Sequence, residues 1–77
     1  MTKLPSISGR KLIKALAKDG WVIKSQKGSH VKLIKPGVKF PLLIPVHGKA
    51  SIPKGTLASI LKDAGISVEK LNSLLKQ

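Results

Sequence analysis

The chain has no cysteine, one tryptophan, one phenylalanine and only three acidic residues among its 77. Without cysteine there can be no disulfide staple and no thiolate zinc site, and the composition suits a reducing cytoplasm. With Trp21 and Phe40 as its only aromatics, the chain offers no row of rings for stacking bases. Both rings are expected in the core, at strand starts. Long apolar runs are also missing. The longest, "FPLLIPV" (40–46), is too short to cross a bilayer and contains two prolines. The N-terminus "MTKLPSISGRK" lacks the apolar centre of a secretory leader. A soluble cytoplasmic protein with no membrane partner is expected.

The shortage of carboxylates narrows the chemistry further. Asp19, Asp63 and Glu69 lie at or near expected helix ends, where capping, the helix dipole or solubility accounts for them. They leave no partner for a serine-type triad. Two histidines without clustered carboxylates or thiols are too few ligands for a metal. There is no glycine-rich nucleotide loop either, since Gly28 and Gly55 are isolated.

What the chain has in abundance is positive charge. Fifteen Lys and Arg against three acids give +12, and no acid occurs between Gly20 and Lys62. Solubility needs far less than this. Such a field favours a polyanion, either nucleic acid or an acidic protein. The length fits one small domain over 1–77, whose marginal core should need nearly every apolar face buried.

The order of elements is legible. After a loose arm over 1–6, "ISGRKLIKALAKDG" predicts a helix capped by Ser8, stapled by Ile7 and Leu12 and stopped by Gly20. Leu12, Ile13 and Leu16 form its buried stripe. Strands follow at 21–25 and 29–35, joined by "QKG". The Pro36–Gly37 pair then predicts a type II turn into a third strand within 40–46, which its prolines make an edge strand or a short one. Pro53 opens a second helix that presents Leu57, Ile60, Leu61 and Ala64 and stops at Gly65. Ser67 caps a short extra helix over 66–77, with Val68, Leu71, Leu74 and Leu75 apolar. The fold class is therefore α+β, a dsRBD-like α-β-β-β-α sandwich. Its three-stranded antiparallel sheet is covered by two helices, with one more helix at the end.

Alternation along the second strand sends Val31 and Leu33 to one face and His30 and Lys32 to the other, the latter pair roughly 7 Å apart. A histidine is the simplest proton-transfer group at neutral pH, so His30 and His47 are the candidates. A base beside lysines suffices for one reaction class, cleavage of RNA by its own 2′-hydroxyl. There the substrate supplies both nucleophile and leaving group. An exposed strand histidine can equally be a polar filler, and a non-catalytic RNA-binding module of the same fold is the alternative.

"GRKLIKALAKDGWVIKSQKGSHVKLIK" followed by "IPVHGKASIPKGTLASILKDAGIS" resembles the HicA family of toxins, small mRNA interferases of toxin–antitoxin pairs. The likeness runs from about Ser8 to Ser67, and its most specific parts are "DGW", "KGSH", "P-x-HGK" and "KGTLASILKDAG", in that order. It implies metal-independent RNA cleavage with no cofactor, His30 as the catalytic histidine, and Gly28 and Ser29 as the rest of its motif. His47 is the second choice, for substrate contact or leaving-group protonation, with loop capping equally open. Ser29 is a further accessory candidate, and Lys24, Lys27, Lys32 and Lys49 are candidates for RNA phosphate. An acidic HicB-type antitoxin covering the basic face is also implied. Val31 departs from the pattern of many relatives, which carry a polar residue or histidine there, and the tail after Gly65 is longer than the minimal domain.

Overall fold

A computed structural model describes residues 3–77. The elements are α1 (Gly9–Lys18), β1 (Val22–Lys27), β2 (His30–Ile34), β3 (Leu42–Pro45), α2 (Lys54–Ala64) and α3 (Val68–Lys76). The strands form one antiparallel sheet in the order β1-β2-β3. The fold is the α+β arrangement expected, with three helices around a three-stranded sheet.

Local chemistry sets the helix ends. Ser8 and Ser67 each accept a hydrogen bond from an amide of the following turn, from Lys11 N and Lys70 N, which satisfies an otherwise orphaned donor. Gly65 ends α2 in the left-handed region at φ 72°. The core gathers Ile7, Leu12, Ala15 and Leu16 from the first helix and its approach, and Val31, Leu33, Leu42 and Ile44 from β2 and β3. Leu57, Ile60 and Leu61 of α2 and Leu71 and Leu74 of α3 complete it, together with Trp21 and Ile52. Ile13, placed by its spacing on the buried stripe, is only half-buried, while Ala15 takes the deeper position.

The last helix packs on α1. Lys18 of α1 donates its ammonium to the carbonyls of Leu74 (3.0 Å) and Gln77, where the helix's unpaired acceptors and the negative end of its dipole lie. Residues 1–2 of the expected arm lie outside the described residues. Lys3 is exposed, while Leu4 is half-buried against the core and its carbonyl accepts from Lys54 Nζ at 2.6 Å.

Two expectations about burial need correction. Phe40 is not a core residue: it is 72% exposed in the connection between β2 and β3. The third strand begins only at Leu42, so no helix reaches over this ring. Nor is nearly every apolar side chain buried, since Val22, Ile23, Ile34, Val38 and Leu43 are also exposed. The helices cover one face of the sheet over β2 and β3 and leave the other bare, and they do not cover β1, where Ile23 shares the face of Leu33 and still stays exposed. Trp21, by contrast, is buried as expected, at 1% exposure.

One close approach fixes how α1 sits on the sheet. A Cβ added to Gly9 would lie 2.1 Å from the Pro45 carbonyl oxygen, so only hydrogen fits between the first turn of α1 and the end of β3. Alanine is the better helix former by roughly 1 kcal/mol, yet Gly9→Ala should destabilise the protein by about 1–3 kcal/mol through overpacking against a backbone atom. Urea unfolding measures this. A variant as stable as the parent would mean that the helix and strand are not in this contact.

Candidate active site

The histidine of the first hairpin is placed by its turn. Gly28 and Ser29 form a two-residue connection between Lys27 and His30, which pair directly. Gly28 has φ +59° and no non-glycine residue among the described ones has positive φ, the pattern of a type II′ hairpin turn with glycine first. The connection is therefore the two residues 28–29 rather than the expected "QKG" (26–28), and β1 runs on to Lys27. The Ser29 carbonyl accepts from Val46 N at 2.6 Å, tying the turn to the end of β3.

From this turn the faces follow as the alternation requires. Val31 and Leu33 point into the core at 4% and 1% exposure, while His30 is exposed and Lys32 half-buried on the opposite side. His30, Lys32, Lys27, Ser25 and Leu43 line one shallow concavity of about 330 Å³ on the bare face. Lys27 comes from the position across β1 from His30, Ser25 from the position across from Lys32, and Leu43 from the position across from Lys32 on β3. No hydrogen bond or ion pair among the described residues fixes the His30 ring. The site is thus an imidazole in open solvent with two ammonium groups and a hydroxyl around it.

The carboxylates lie elsewhere. Asp19, at the end of α1, pairs with Lys35 at 3.1 Å, and that ammonium also stands 6.0 Å from the Trp21 ring centroid. Asp63 is in the last turn of α2 and Glu69 in the first turn of α3. The expected end-of-helix placements hold, and the Asp19 carboxylate has a more definite partner than the sequence indicated.

The structure brings together three of the candidate residues: His30, Lys27 and Lys32. The others do not line the same concavity. Lys24 is exposed at the register shift in β1 between Ile23 and Ser25. Lys49 borders a separate depression with Arg10, Lys11 and Ser51. His47 is exposed in the turn that follows β3, its carbonyl accepting from Ala50 N at 3.0 Å. Ser29 is half-buried in the hairpin turn. Ser25 and Leu43 are the members that sequence reasoning missed. The register would have supplied Ser25: a two-residue turn at Gly28–Ser29 sets Lys27 opposite His30 and Ser25 opposite Lys32.

Residues 9–66 match the family described as HicA toxin of bacterial toxin-antitoxin. Among solved structures, the chain is similar to one in a toxin–antitoxin complex from Streptococcus pneumoniae, with 31% sequence identity and a TM-score of 0.66. The likeness covers 78% of this chain and 98% of that one. No curated protein matches.

Because nothing lies within 4 Å of a Cβ added to Gly28, a substitution there meets only a backbone penalty. Gly28→Ala should therefore cost about 1–2 kcal/mol, the price of a left-handed backbone for an L-residue. Denaturant unfolding would reveal it, and an unchanged midpoint would mean the hairpin does not use this turn.

Proposed function

Because the chain belongs to the HicA toxin family, we propose that it is the toxin of a toxin–antitoxin pair and acts as an endoribonuclease on mRNA. The observation that carries this reading is the concavity on the bare sheet face, where His30 stands exposed between Lys27 and Lys32.

The reaction requires little else of the protein. His30 takes the proton from a ribose 2′-hydroxyl. The resulting oxygen attacks the adjacent phosphorus, forming a 2′,3′-cyclic phosphate, and the bond to the 5′ oxygen breaks. The departing oxygen takes up a proton from water, and His30 gives its own back to solvent. Lys27 and Lys32 hold the phosphodiester and offset the charge that grows on its oxygens. Ser25 can donate a hydroxyl hydrogen bond at the same place. The balance closes with no redox step and no cofactor, and DNA, lacking the nucleophile, is left intact. Lys24 and Lys49 extend the attractive field along the nucleic acid without reaching the scissile phosphate. His47 can serve only a substrate that spans from the concavity to the loop beyond β3, so its contribution is expected to be smaller than that of His30.

The partner in this reading is an acidic antitoxin of HicB type, recruited by the +12 charge and seated over His30. The pair would work in the cytoplasm, where mRNA is. No helix among the described residues is long and apolar enough to cross a membrane.

A general base contributes about 10²–10⁴-fold, so His30→Ala should lower the cleavage rate at least about a hundredfold while RNA affinity stays near that of the parent. His47→Ala should cost less. Cleavage in the presence of a chelator, measured with binding on the same RNA, tests both statements, and parental cutting by His30→Ala removes the assignment. Lys32→Glu should weaken RNA binding and lower the slope of log affinity against log salt by about one. An unaltered slope would take Lys32 off the phosphate path.

A further inference from the structure

The concavity at His30 occupies only one end of the bare face. The other end is apolar. Val22 and Ile34 are directly paired across β1 and β2, on the same side of the sheet as His30, and are 54% and 37% exposed. Leu43 of β3, 57% exposed, lies on the same face across from Lys32, where it lines the His30 concavity, and the β2–β3 connection that follows Ile34 adds Val38 and Phe40, 39% and 72% exposed. Exposed apolar residues scattered singly need no explanation, but a contiguous group rimmed by charge marks an interaction site. Ile34 lies four strand residues from His30, roughly 13 Å along β2, so an occupant of this end borders the histidine without having to touch it.

We propose that this apolar end is the anchor on which an acidic protein partner docks, while the lysines around it steer the partner rather than hold it. The inference rests on the toxin reading only for its consequence, namely that a protein anchored here also overlies His30. Three other occupants fit less well. A second copy of the chain would bring Lys27, Lys32 and Lys39 against their own counterparts on two bodies of charge +12 each. Nucleobases stack on flat rings, yet four of the five residues are aliphatic. The one ring already has the Lys39 ammonium 5.8 Å from its centroid. A bilayer surface needs a continuous apolar helix or loop to insert, whereas here the apolar group sits on a rigid sheet. A protein with a few apolar side chains inside an acidic rim matches both the aliphatic centre and the lysine border. In such an interface the desolvated centre sets the dissociation rate and the rim charges set the association rate.

The probe is the purified protein encoded by the neighbouring gene, titrated against the full-length protein. Phe40→Ser and Val22→Ser each remove an exposed apolar side chain outside the His30 concavity. Each should weaken the partner at least about tenfold, mainly through faster dissociation, while RNA cleavage stays within twofold of the parent. Lys39→Ala should instead slow association and reduce its salt dependence. Hydrogen exchange on the unmutated complex, which does not depend on any variant folding, should show protection over residues 38–43 and at Ile34. Unchanged partner affinity in both serine variants, or protection confined to α1 or α2, overturns the anchor while leaving cleavage by His30 untouched. Cleavage that falls in these variants while partner affinity holds would mean the patch grips RNA, and also overturns it. If the unmutated protein does not bind the probe, the docking proposal falls, and the cleavage measured alongside decides the catalytic reading separately.

Discussion

A three-stranded sheet has two faces, and this chain has helices enough to cover one. Gly9 brings the first turn of α1 down onto the Pro45 carbonyl, α2 rests against β3, and α3 closes over α1 through Leu71 and Leu74. All the well-buried side chains lie on that side. The opposite side is left to water, and both the His30 concavity and the apolar group at Val22 and Ile34 lie there. The seat of α1 and the presentation of His30 meet at the same backbone, because Pro45, against which Gly9 packs, is the strand partner of His30.

The positive charge divides into two populations. Lys18 caps α3, Lys54 holds the carbonyl of Leu4, and Lys35 joins Asp19 to the face of the Trp21 ring. These lysines hold the fold. They matter in a core this small, where the buried Trp21 Nε1 finds no hydrogen-bond partner among the described residues. Lys27 and Lys32 have no such structural task and border His30. A net charge alone does not distinguish these uses; the partners of each ammonium group do.

Much of this was legible because the signals were local. A serine before an apolar stripe marks a cap, and Ser8 and Ser67 both act as caps. Strand alternation put His30 and Val31 on opposite faces, and the sheet obeys it. What escaped depends on contacts between distant segments. Nothing near Gly9 in the chain indicates that its missing side chain makes room for Pro45. Phe40 looks like a strand start until one knows that β3 begins two residues later and that no helix extends so far. Ser25 needed the hairpin register, which a turn expected at 26–28 and found at 28–29 obscures. The family likeness pointed to His30 directly, but not to Ser25 or Leu43.

The shift in pairing between Ile23 and Ser25 has a consequence of its own. β1 is an open edge with two exposed aliphatic side chains, Val22 and Ile23, and such an edge invites further strands of identical chains. A local break in the ladder twists the edge, and the lysines at 24 and 27 charge it. The same irregularity that complicates the register thus makes the strand a poorer template for pairing with another copy of the chain.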